Sequence, residues 1–111
     1  YESGKGVEQD YEKAREWYMK AANQGYANAQ NNLGNMYESG KGVEQDYEKA
    51  REWYMKAANQ GYANAQNNLG NMYESGKGVE QDYEKAREWY TKAANQGFTI
   101  SQDNLKAIQD K

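Results

Sequence analysis

The chain has 111 residues, with neither cysteine nor histidine, and a net charge of −3 spread over interspersed acids and bases. That composition excludes disulfides and thiolate chemistry, removes the commonest general base and metal ligand, and gives no electrostatic reason to expect nucleic acid or an anionic membrane as partner. Hydrophobic residues make up only 37%, but aromatics reach 14%, mostly tyrosine, which is too much packing material for a disordered chain.

Residues 1–36 read YESGKGVEQDYEKAREWYMKAANQGYANAQNNLGNM, and residues 37–72 repeat that string letter for letter. The third copy, 73–108, matches through Tyr90, carries Thr91 where Met19 and Met55 stand, and diverges after Gly97 into FTISQDNLKAIQDK. Two histories produce such identity, a recent duplication or deliberate consensus design, and both remain open. Within each copy the punctuation marks two helices. Asp10 is placed to N-cap a helix near 10–24 that Gly25 stops, and a second helix near 27–39 is stopped by Gly40. Residues 40–45, GKGVEQ, form the longer loop that leads to the next cap, Asp46. The same signals predict helices near 46–60, 63–75, 82–96 and 99–110.

At about 100° per residue each helix separates into faces. In the first, Tyr11, Ala14, Trp17, Tyr18, Ala21 and Ala22 share an apolar arc opposite Glu12, Lys13, Glu16 and Lys20. In the second, Ala27, Ala29, Leu33, Gly34, Met36 and Tyr37 oppose Asn28, Asn31, Asn32, Asn35, Glu38 and Ser39. Two amphipathic helices with a short connection form an αα-hairpin too small to stand alone, so each copy must borrow core from its neighbours. The expected architecture is an all-α solenoid of antiparallel helix pairs with a 36-residue repeat, one domain over 1–111. Residues 99–111 would act as a capping helix: Gly34 and Gly70 become Lys106, and Tyr37 and Tyr73 become Gln109, which makes this helix more polar. Tyr1 would enter at the last turn of a second-type helix, leaving the first full helix without one partner. End-to-end self-association through that uncapped helix is therefore an expectation.

The pattern A-x-A-Q-x-x-L-G-x-x-Y-x-x-G-x-G-V-x-Q-D-Y-x-K-A-x-x-W-Y-x-K-A-A-x-Q-G, over residues 27–61 and 63–97, resembles the Sel1-like repeat family, a relative of the tetratricopeptide repeats. The resemblance implies a right-handed superhelix, no enzymatic activity, no cofactor, and an adaptor or scaffold role with protein or peptide partners. Some bacterial relatives carry a disulfide in each repeat, a branch from which this cysteine-free chain departs. By similarity to tetratricopeptide repeats, the helices at 27–39 and 63–75 line a concave groove. Their polar arcs then present Asn28, Asn31, Asn35 and Glu38, repeated as Asn64, Asn67, Asn71 and Glu74. An asparagine offers donor and acceptor together, which suits the backbone amides of an extended peptide; filling an unconstrained position is the plainer role for the same residues. This helix face carries no Lys or Arg, which argues against a clamp for a terminal carboxylate.

Other signals reduce to structure. The Trp, Tyr and Met stripes lie on arcs that must be buried and read as core. The GKG segment follows a helix and lacks the phosphate-loop pattern. Glu12 and Glu16 stand on a solvated face beside Lys and Arg, so neither paired-carboxylate catalysis nor a metal site is expected. No apolar run approaches the roughly 20 residues needed to cross a bilayer, and no signal peptide is visible. The function expected is a non-catalytic scaffold with an Asn-lined groove; the alternative is a designed or self-assembling array with no native ligand.

Overall fold

A computed structural model describes residues 3–108, with side chains from residue 12 onward; the roles expected of Tyr1, the Tyr11 side chain and Gln109 lie outside these. Six helices follow one another: α1 (Ser3–Asn23), α2 (Ala27–Ser39), α3 (Tyr47–Asn59), α4 (Ala63–Ser75), α5 (Tyr83–Ala94) and α6 (Thr99–Ile108). Each packs chiefly on its neighbours in the chain, and the array is elongated, 47 × 26 × 23 Å. This is the all-α solenoid of helix pairs that the repeat requires.

The helix boundaries follow the local chemistry. Asp46 is the N-cap of α3, its carboxylate accepting the Lys49 backbone N–H at 3.1 Å, and Asp82 does the same for Lys85 at the start of α5. At the end of α2, Gly40 adopts φ +77°, a left-handed conformation that only glycine reaches without strain, and its N–H bonds the Met36 carbonyl at 2.7 Å. The loop then folds back on the helix it has left. Asp46 N–H donates to the Tyr37 carbonyl at 2.9 Å, and Gln45 Nε2 donates to the Glu38 carbonyl at 2.8 Å.

The first copy departs from expectation here. Residues 4–9 are part of α1, and Asp10 is an interior helix position, not a cap. In the later copies the same letters form a loop because the end of α2 or α4 supplies carbonyls to hold it. Among the described residues nothing supplies them to 4–9, and continuing the helix satisfies that backbone instead.

The core is shared between copies. Ala50, Tyr54, Ala57, Ala58, Ala65, Leu69 and Met72 form one buried cluster, covered by Ala27 from the copy before and Trp89 from the copy after. Ala22, Ala29, Leu33 and Met36 form another, covered by Trp53. Trp53 and Trp89 therefore each close the core of the preceding copy. Trp17 has no preceding core among the described residues and is 72% exposed, against the expectation that the whole apolar arc of its helix is buried.

Polar ladders tie the copies together along the array. Asn68 donates to Asn31 Oδ1 at 2.9 Å, and Asn104 donates to Asn67 Oδ1 at 3.0 Å. Elsewhere, Gln60 donates to Gln30 Oε1 and Gln96 to Gln66 Oε1, while Gln30 and Gln66 donate to the Ala22 and Ala58 carbonyls. Buried amides with both ends satisfied fix the register of one copy on the next, where apolar contact alone would allow sliding.

Candidate functional site

The site begins with a glycine. Gly34 lies on the face of α2 that meets α3, and a methyl group added there would sit 2.5 Å from Cδ1 and Cε1 of Tyr54. Only a glycine admits the ring. Tyr54 is thereby fully buried, with its hydroxyl emerging between Asn35 and Glu38, 2.6 Å from the Asn35 amide oxygen and 2.6 Å from Glu38 Oε1. The arrangement recurs at Gly70, with Tyr90 reaching Asn71 at 2.6 Å and Glu74 at 2.7 Å. A phenol has one proton, and a carboxylate is its stronger acceptor. Burial above all, then the hydrogen bond to and the charge of Glu38 or Glu74, pushes both phenols well above the ordinary tyrosine range.

These latches form the floor of a groove. Asn35, Glu38, Ser39, Lys41, Tyr47 and Lys77 line its first half, with Ala14 and Tyr18 at the α1 side. Glu38 and Lys77 also line the second half, together with Asn71, Glu74, Gln81 and Tyr83, so the two halves are continuous. Acids come from the helices and lysines from the loops. The expectation of a face without cations holds for the helix surface but not for the groove, because the GKG loops carry Lys41 and Lys77 onto it. Lys77 lies 5.8 Å from the centre of the Tyr47 ring, which holds its ammonium over the aromatic face.

Of the eight residues singled out from sequence, the structure brings Asn35, Glu38, Asn71 and Glu74 together. Asn31 and Asn67 are each only 6% exposed and bind the neighbouring copy; the Asn67 carbonyl also accepts from Ser101 at 2.7 Å. Their place on the polar arc is real, but that arc is wide enough for its edge to fall under the next repeat. Asn28 and Asn64 are exposed at the starts of α2 and α4, outside the groove lining, and Asn28 Oδ1 accepts the Ala29 N–H at 2.8 Å. The residues that the helix faces alone did not mark as site residues are Tyr54, Tyr90, Lys41 and Lys77. The phenols belong to apolar arcs whose tips surface one copy away, and the lysines lie in loops that a helical projection leaves out.

The Sel1 repeat model matches residues 1–26, 27–62 and 63–98. The chain belongs to the Sel1 repeat family. Solved structures agree with this assignment. A protective antigen present in uropathogenic Escherichia coli strains, with an SLR fold, is 46% identical with a TM-score of 0.84, covering 86% of this chain and 20% of its own. A Sel1 repeat protein from Oxalobacter formigenes is 39% identical with a TM-score of 0.84, covering 90% of this chain and 41% of its own. Helicobacter pylori cysteine rich protein B is 30% identical with a TM-score of 0.78, covering 82% and 68%. The chain thus spans about a fifth of the first and two fifths of the second. A comparison with curated protein sequences returns no match. Sel1 repeats are generally scaffolds for protein interaction rather than catalysts. Among the described residues no helix is long and apolar enough to cross a membrane.

Proposed function

We propose that this Sel1 array is a non-catalytic scaffold whose groove holds an extended peptide or protein segment along the repeat axis. The observation that carries the reading is the recurrence of one polar set, Asn35 with Glu38 and Asn71 with Glu74, on a continuous open groove. Each set is held rigid from below by a buried tyrosine, so little side-chain freedom is lost on binding. The side-chain amides of Asn35 and Asn71 would hydrogen-bond successive backbone groups of the peptide, while Lys77 between the two sets would favour a segment carrying an acidic side chain. The test is a peptide array followed by calorimetric titration of the strongest binder. Saturable binding that drops at least about tenfold in Asn35→Ala/Asn71→Ala, and is unchanged in Asn28→Ala/Asn64→Ala, supports the groove. Equal binding by the two folded variants, or no binding peptide at all, rejects it.

The letter-for-letter identity of residues 1–36 and 37–72 favours a second reading, a consensus-designed array that serves as a building block and has no native ligand. Uniform, host-optimised codons across the copies of its coding DNA would support it, and independent synonymous drift between copies would oppose it. End-to-end self-association belongs with this reading and would use the α1 end instead of the groove.

A further inference from the structure

Resting on the groove reading above, we infer that Tyr47 and Gly78 are positioning residues that make Lys77 a selector for one side-chain carboxylate on the bound segment. Lys77 stands where the two halves of the groove meet, and it lines both. Among the described residues its ammonium has no carboxylate within ion-pair distance. It lies instead over the Tyr47 ring, 5.8 Å from the ring centre. A lysine carried on a loop ordinarily samples many rotamers, so whatever holds this one decides whether the groove reads charge.

The hold comes from backbone packing between copies. Gly78 follows Lys77 and adopts φ +74°, a conformation that other residues rarely reach. A methyl added there would lie 2.9 Å from both Cβ and the carbonyl oxygen of Tyr47, and 3.0 Å from its carbonyl carbon. The two carbonyl atoms are backbone at the first residue of α3 and cannot swing aside. The loop of one copy therefore lies directly on the start of α3 in the copy before, and the lysine next to the glycine is delivered to the ring. That ring is oriented in turn: Gln45 Nε2 donates to the Tyr47 hydroxyl at 3.3 Å and to the Glu38 carbonyl at 2.8 Å. What the ammonium selects follows from the charges around it. Glu38 and Glu74 line the same stretch of groove as Lys77. A dianionic phosphate would be repelled by both, whereas a carboxylate brings the single charge that one ammonium balances. The partner this fits is an extended segment with an Asp or Glu at the joint between copies.

Two measurements test this. In the free protein, reductive methylation with isotope-labelled formaldehyde marks the lysines for NMR and keeps their charge, and Lys77→Arg identifies the Lys77 signal. That signal should be shifted upfield by the ring, move to the position of an exposed lysine in Tyr47→Leu and Gly78→Ala, and keep its shift in Tyr47→Phe. In the complex, the strongest binder from the peptide array is compared with versions in which each Asp or Glu becomes Asn or Gln, or phosphoserine. One amide replacement should weaken binding to the native chain about fivefold. That discrimination should vanish in Lys77→Gln, shrink in Tyr47→Leu, and persist in Tyr47→Phe. It should also persist in Lys85→Gln, which removes an equal charge from outside the groove lining. A binder whose discrimination survives Lys77→Gln, or that prefers phosphoserine, overturns the selector and leaves the groove in place. An array without any binder rejects groove and selector together. A Lys77 signal unmoved by Tyr47→Leu overturns the positioning, and that variant decides the matter even if Gly78→Ala does not fold.

Discussion

Replacing Gly70 by alanine sets two physical effects against each other. On helix propensity alone, alanine in the interior of α4 should stabilise the chain by about 0.8–1 kcal/mol. The packing opposes this, because the new methyl would lie 2.5 Å from Cδ1 of Tyr90. That ring cannot easily retreat: Tyr90 is fully buried, and its hydroxyl is held by Asn71 and Glu74 at 2.6 and 2.7 Å. Forcing a methyl into such a joint costs about 1–3 kcal/mol. The net expectation is a loss of roughly 0–2 kcal/mol, with a fall in thermal midpoint of roughly 4–8 °C per kcal/mol for a chain of this size. Urea unfolding followed by far-ultraviolet circular dichroism measures it. A double-mutant cycle assigns the cause: Tyr90→Leu should cost about 1 kcal/mol less in the Gly70→Ala background than in the native chain. If Gly70→Ala raises stability, the glycine is not the socket for Tyr90 and the joint between copies is misassigned.

Two further perturbations test the architecture. The buried phenols of Tyr54 and Tyr90 hold their protons above the ordinary tyrosine range, through burial first and then Glu38 and Glu74. An unfolded phenol releases its proton near about pH 10, so the folded chain binds more protons above that point; stability is intact below it and falls above it, by up to about 1.4 kcal/mol per pH unit for each tyrosine. Urea titrations on either side of that pH should show the fall, and Tyr54→Phe/Tyr90→Phe should flatten it; an unchanged slope in that variant would place the alkaline sensitivity elsewhere. Asp46→Ala removes the cap on α3 and should cost about 1 kcal/mol, whereas Asp10→Ala, inside α1, should be neutral or slightly stabilising. Equal losses at the two positions, measured by chemical denaturation, would mean that α1 starts at Asp10 after all.

Much of this protein was legible in its letters. Glycine and aspartate punctuation located five of the six helices to within a residue or two, because caps and left-handed stops act through bonds within a few residues of the chain. The repeat itself announced the solenoid, since hairpins this small have to share a core. The start of α1 was not legible: GKGVEQD is a loop beside the end of a preceding helix and a helix without one, and no local signal distinguishes the two. The candidate site divides along the same line. Asn35, Glu38, Asn71 and Glu74 were visible as a polar arc, but the burial of Asn31 and Asn67 depends on where the next copy lies across that arc.

What the sequence alone determined is the repeating unit: two amphipathic helices, their ends, and an apolar surface larger than one hairpin can hide. Only the tertiary arrangement decided which residues meet across copies. It set Tyr54 against Gly34, carried Lys77 from a loop into the groove, and left Trp17 in water while Trp53 and Trp89 are partly covered. The physical reason is that identical letters have identical local preferences, whereas burial and hydrogen-bond partners come from the neighbouring copy, and the first helix has none before it among the described residues.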